Sequence, residues 1–182
     1  MDEAWRLVRE EGTDALTLGR LAERAGVTKP LVYGHFGTRA GLLAALYQDF
    51  DARQTAAMDA AFADSEPRLA ARASVIASSY VDCVLSQGRE IPGVVAALAG
   101  SPELAAIKRQ YQEVFIGKCR AMLAPFAGGL SKAVFWGMLG AADALSEAAV
   151  VGDLTAAQAK QELFEIIVAM VERGRRAAAP HS

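Results

Sequence analysis

The chain has 182 residues and a formal net charge of −2; 53% of its residues are hydrophobic, alanine prominent among them, and only 7% are aromatic. That length suits one domain, or a small domain joined to a larger one, with enough chain to bury a real core. The balance excludes a polycation and argues against a β-sandwich, whose strands draw on Val, Ile, Thr and aromatics, so an all-α fold is expected and any nucleic-acid surface must be a local patch.

In chain order, residues 2 to 11 carry Ala4, Trp5, Leu7 and Val8 among charges and predict a first helix stopped by Gly12. Thr17 is placed to cap a short second helix with Leu18, Leu21, Ala22 and Ala25 at helical spacing, ended by Gly26. Thr28 starts a third, in which Pro30 is tolerated because it lies in the first turn. Thr38 opens a long fourth helix, from about Arg39 to Ala63, with Leu42, Leu43, Leu46, Phe50 and Met58 along one stripe. The segment Ser65-Glu66-Pro67 reads as the start of a fifth helix running to about Gln87, where Gly88 breaks it. A short helix near Val94 to Leu98 follows, then one from Ser101-Pro102-Glu103 to Leu123. Two last helices are expected at 131–151 and 155–178, the second opened by the capping box Thr155-x-x-Gln158. The tail from Ala177 to Ser182 is expected to fray. No apolar run is expected to reach the length of a membrane span, and nothing resembles a signal peptide, so a cytoplasmic protein without a membrane partner is anticipated. Cys83 and Cys119 have no paired spacing and read as reduced thiols in apolar helical context.

Three short helices with a Gly-containing turn between the second and third form a helix-turn-helix, in which one helix braces another that enters the major groove of DNA. Leu21, Ala22 and Ala25 should pack inward, and Val27 and Val32 should fill the angle between the helices. Hydroxyls and free amides at Thr17 and Thr28 suit phosphate oxygens, and Lys29 suits a phosphate or a guanine. From Thr17 to Tyr47 there are four Lys/Arg (Arg20, Arg24, Lys29, Arg39) and one acid, Glu23.

Residues 4 to 47 resemble the DNA-binding domain of the TetR family of transcriptional regulators. The resemblance is carried by Gly12, Thr17, Leu21-Ala22, Ala25-Gly26-Val27, Tyr33-Gly34-His35-Phe36, Arg39 and Leu42-Leu43. It implies that Tyr33 and His35 hydrogen-bond the DNA backbone, that Arg39 matches a phosphate-binding lysine, and that Pro30 and Leu31 meet base edges or thymine methyls. Gly34 stands where relatives often carry a base-contacting side chain, and Gly19 leaves the second helix without one, so shape readout should matter more here.

The resemblance also implies a division into a DNA-binding domain, 1–47, and a larger domain, 48–182, that binds a small effector and forms a homodimer through the last two helices. The 131–151 helix, rich in Gly and Ala, is expected to supply the seam with Leu163, Ile166, Ile167 and Met170; a buried pair within one chain explains that pattern equally well. For a largely apolar effector the candidate contacts are Tyr80, Cys83, Tyr111 and Phe115, with Asp82 a possible polar anchor. The function expected is a repressor released from its operator by that effector. The alternatives are a regulator of the same fold with no small-molecule effector and, less consistent with the residues, a helical enzyme. Of the two histidines, His35 lies in the motif and His181 in the tail; no catalytic, metal-ligating or phosphate-loop pattern is visible, so no cofactor or metal is expected.

Overall fold

Helices make up all the regular secondary structure of the computed structural model among the described residues, 1–86, 90–127 and 129–178. They are α1 (Asp2–Glu11), α2 (Leu18–Ala25), α3 (Lys29–Phe36), α4 (Arg39–Asp64), α5 (Leu69–Leu85), α6 (Glu90–Ala97), α7 (Pro102–Leu123), α8 (Lys132–Val151) and α9 (Ala156–Ala178), with single 3₁₀ turns at Thr13–Ala15 and Ala124–Phe126. The expected stop at Gln87 and Gly88, and the end of the tail with His181, lie outside the described residues.

The chain forms two units, each with its own core. The first comprises residues 1–53, α6 and the part of α7 up to Tyr111. Its centre is Leu7, Leu16, Leu42 and Leu46, all with no solvent exposure, joined by Trp5, Leu18, Leu21, Ala22 and Val32. Ile91, Val94, Leu98 and Leu104 are buried in the same cluster, so the stretch beyond residue 90 contributes core to the N-terminal unit. Two inward-facing expectations are corrected: Ala25 and Val27 are exposed, Val27 by 40%. Gly26, whose left-handed backbone (φ 66°) ends α2, lets the Val27 N–H bond back to the Ala22 carbonyl at 3.0 Å and so carries Val27 off the helix line, while Ala25 is the last residue of α2. Trp5 Nε1 donates to Asp49 at 2.6 Å, and Arg53 pairs with Asp49 at 2.9 Å while lying 5.3 Å from the Trp5 ring centroid, which pins α1 to α4.

The second unit holds α4 from Gln54, α5, α7 from Gln112, α8 and α9. Ile76, Phe135, Met138, Leu163, Ile167 and Cys119 are among its buried residues. Helix α5 starts three residues later than expected because Ser65 serves the preceding helix: its hydroxyl donates to the Phe62 carbonyl at 2.8 Å. The Thr155–Gln158 capping box forms as anticipated, with N–H to side-chain distances of 2.9 and 3.2 Å. Most of the expected dimer seam on α9 turns inward instead, since Leu163, Ile167 and Met170 are buried within this one chain and Ile166 is half-buried. A second correction concerns α8, which is long and apolar enough to cross a membrane by length and composition: it has 20 residues and contains an 18-residue stretch of mean hydropathy 1.4. Alanines and valines outside the buried face raise that average, and Phe135, Met138, Leu139 and Ala142 turn one face into the core.

Candidate nucleic-acid interface

Helix α3 has eight residues, of which Val32 is buried and Phe36 half-buried; Lys29, Pro30, Leu31, Tyr33, Gly34 and His35 are all exposed. Leu31 is 62% and Tyr33 52% exposed, so this face of the helix presents an apolar and an aromatic side chain to solvent. Local rules fix the helix where it is. Thr28 adopts the N-cap position with extended backbone, Pro30 fits the first turn, and the Gly37 N–H bonds to the Tyr33 carbonyl at 2.8 Å. Thr38 then caps α4 through the Gly41 N–H at 3.0 Å. Gly41 must be glycine, because a Cβ there would lie 2.2 Å from the Phe36 carbonyl oxygen.

The two threonines differ. Thr17 spends its hydroxyl on the Arg20 N–H at 3.2 Å, whereas the Thr28 side chain makes no capping bond. Arg39 donates through Nε to the Leu16 carbonyl at 2.9 Å and through Nη2 to the Thr13 carbonyl at 2.7 Å, clasping the turn that precedes α2. His35 sits edge-on against Phe36, with ring centroids 4.5 Å apart.

The first 46 residues match the family model described as bacterial regulatory proteins, tetR family. The N-terminal domain is of the TetR family. No curated protein sequence matches the chain. Among solved structures, the fold resembles a TetR-family transcriptional regulator from Streptomyces coelicolor, with 20% identity, 95% of this chain and 92% of that one covered, and a TM-score of 0.67. A TetR transcription regulator from Haloarcula marismortui aligns at 22% identity over 93% and 95% of the two chains, also with a TM-score of 0.67. The fatty acid degradation regulator FadR from Bacillus halodurans aligns at 14% identity over 92% and 91%, again at 0.67. The chain thus has a TetR-type N-terminal domain and, over nearly its whole length, the fold of the TetR-family transcriptional regulators, which are DNA-binding proteins and not enzymes.

Charge around the TetR domain's helix-turn-helix differs from the sequence tally. Arg20 hydrogen-bonds the Glu11 carboxylate, and Arg24 reaches Glu10 at 2.7 Å, Glu11 at 3.4 Å and Glu3 at 4.0 Å. Lys29 pairs with Glu23 at 3.4 Å. The Arg20 hydrogen bond, assisted by the charges of Arg20 and Arg24, holds the Glu11 carboxyl below its ordinary value of 4.5. These acids of α1 were missed because nine to thirteen residues of sequence separate Glu11 from its arginines, a spacing no helical period reports.

The four effector candidates fall into separate units. Tyr111 packs in the first, its ring 5.7 Å from that of Tyr47, where burial pushes its hydroxyl up to about 12 with Asp51 and Tyr47 adding to the shift. Tyr80, half-buried Cys83 and Phe115 belong to the second, with the Tyr80 and Phe115 rings 5.0 Å apart. Tyr80 also hydrogen-bonds the Asp143 carboxylate, a residue the sequence reading passed over. Asp82 is exposed and held by Lys160 at 2.6 Å. Among the described residues no cluster of three or more His, Cys, Asp or Glu is placed to hold a metal.

Proposed function

We propose that the protein is a cytoplasmic homodimeric repressor whose recognition helix α3 docks in the major groove of a roughly palindromic operator, and whose larger domain, 48–182, releases DNA when it binds a small apolar effector. The observation that carries the DNA reading is the outward display on α3. An eight-residue helix that buries only Val32 fully has exposed its other side chains to a partner, and the family domain says the partner is duplex DNA. Lys29, Tyr33 and His35 would hold phosphates with the Thr28 hydroxyl and the amides of Thr17 and Thr28, while Pro30, Leu31 and Gly34 face base edges. Arg39 keeps the turn in register and offers its remaining N–H groups to a phosphate.

For the effector, Tyr80, Phe115 and Cys83 supply an apolar and aromatic surface with one carboxylate, Asp143, beside the tyrosine hydroxyl. Helix α4, continuous from Arg39 to Asp64, is the covalent path from that domain to the recognition helices. For dimerisation, α8 presents Ala133, Gly137, Gly140 and Ala144 at helical spacing, all exposed.

The test is selection of duplexes from a random pool by the purified chain. The expected product is an inverted repeat with half-sites about one helical turn, roughly 34 Å, apart, bound in a salt-dependent way and weakened by Lys29→Ala and Tyr33→Ala. Enrichment of no sequence would refute the proposal. A thermal-shift screen of small apolar compounds, followed by operator binding with each hit, tests the effector half separately.

A further inference from the structure

The centre of α3's outward face carries no hydrogen-bonding side chain. At about 100° per residue, the direction opposite buried Val32 falls on Pro30 and Gly34, each about 160° from it. Leu31 and Tyr33 stand on the two flanks, 62% and 52% exposed. Lys29 and His35 lie nearer the core side, so the polar groups of this helix border a strip made of proline, leucine and glycine.

Nothing inside the protein asks for glycine at 34. A Cβ built there meets nothing within 4 Å, and the residue is not among the glycines with positive φ. Within a helix, glycine is less favourable than alanine. The residue therefore leaves an open notch on the side that faces DNA. The major groove offers such a notch one apolar group, the C5 methyl of thymine; the other exposed base-edge groups are donors and acceptors.

Resting on the reading of α3 as the recognition helix, we propose that Pro30, Leu31 and Gly34 form a methyl-sized apolar notch that selects thymine at one position of each operator half-site, with Gly34 the residue that determines this specificity. Leu31 is the wall of the notch and Pro30 its neighbour one turn back. Gly34 is its floor, and any Cβ there occupies the place of the thymine methyl. Cytosine at the same position presents an N4 amino donor and no methyl, and makes no favourable contact with the strip.

The test combines one protein methyl with one DNA methyl. A duplex selected from random sequence by the wild-type chain is remade with each thymine replaced in turn, symmetrically in both half-sites, by deoxyuridine, which lacks only the methyl. At one position the replacement should weaken wild-type binding roughly fourfold per half-site, the worth of one buried methyl group, with little effect elsewhere. Gly34→Ala should weaken binding to the thymine duplex on the order of tenfold, the usual effect of overfilling a packed contact. It should bind the deoxyuridine duplex as well as the wild type does, because the alanine methyl then takes the place left by the base. A melting temperature at or above that of the wild type shows that Gly34→Ala has not simply misfolded. The proposal is overturned if Gly34→Ala loses the same factor on both duplexes, if it loses nothing on the thymine duplex, or if no thymine in the half-site is sensitive to deoxyuridine. A wild-type chain that selects no duplex removes the DNA reading itself, whereas a selected operator with additive effects removes only the notch.

Discussion

Replacing Glu10 and Glu11 together by glutamine should tighten DNA binding and make it more sensitive to salt. Residues 1–47 contain six Lys/Arg and six Asp/Glu, so the domain has no net positive charge to offer a phosphate backbone. Two of the cations, Arg20 and Arg24, are held by Glu11 and Glu10, with Arg24 at 2.7 Å from Glu10 and 3.4 Å from Glu11. These pairs are on the surface, where such contacts are individually weak and exchange readily with a phosphate. Removing both carboxylates frees two guanidinium groups. Each phosphate they neutralise steepens the plot of log affinity against log salt by about 0.9, hence about 1.8 per protomer and about 3.6 for the proposed dimer on its operator. Between ~50 and ~200 mM salt the variant dimer should lose on the order of 100-fold more affinity than the wild type loses (about twelvefold per protomer), starting from tighter binding at the low end. Titration of a labelled operator at four or five salt concentrations measures the slope directly. Glu3→Gln, whose carboxylate is 4.0 Å from Arg24, is the weaker control. Protonation tests the same pairing. The Glu11 carboxyl is lowered from 4.5 by its arginines, so its contribution to stability is present above that value and fades as pH falls through the lowered one. A double variant with the wild-type slope would refute the idea that α1 competes with DNA for these arginines.

Leu98→Ala should destabilise the first unit by roughly 2–5 kcal/mol and weaken operator binding with it, as seen in denaturant melts, because Leu98 is 2% exposed in the core shared with the helix-turn-helix. Gly140→Arg, on the exposed small-residue face of α8, should give a folded monomer by light scattering. Ile167→Arg should unfold the second unit, since that side chain has no solvent exposure. Stability should decline in alkali as pH rises from the ordinary tyrosine value of 10.0 towards about 12, because the folded state holds Tyr111 protonated; Tyr111→Phe should flatten that limb of a melting-temperature profile.

Helix positions were legible because local chemistry decides them. Thr17, Gly26, Thr38 and the Thr155–Gln158 box cap or end helices in the structure as their types dictate, and apolar spacing located α1, α2, α4 and α7 closely. Ser65 shows the limit: a serine before Glu-Pro can open one helix or close the one before it, and the hydrogen bond to Phe62 selects the second. Which core a helix joins was less legible. The apolar residues of α6 fit any core, and only tertiary packing assigns Ile91, Val94 and Leu98 to the N-terminal unit. Around the candidate interface the display of α3 could be read from its residue types. The pairing of its neighbouring arginines could not, since Glu3, Glu10 and Glu11 approach Arg20 and Arg24 through the fold and not through sequence proximity.

The strongest constraint on the proposed assembly comes from α8. A helix at the surface of a folded chain ordinarily pairs one apolar face with a polar one. Helix α8 contains an 18-residue stretch of mean hydropathy 1.4 although only 28% of that stretch is buried within the chain. Its inward face, Phe135, Met138, Leu139 and Ala142, is satisfied by its own unit. About half a turn away, Ala133, Gly137, Gly140 and Ala144 form a smooth face, and added Cβ atoms at the two glycines would meet nothing within 4 Å. Such a face permits close backbone approach by another helix, and Trp136 at its edge, 37% exposed, supplies the kind of aromatic anchor that concentrates binding energy at interfaces. On the proposed docking a single recognition helix reads only one half-site, so the partner proposed for this face is a second copy of the same chain, joined by the same surface on each. The effector would then act by changing the separation of two recognition helices, and a shift of a few ångströms against the roughly 34 Å groove repeat would remove several contacts together.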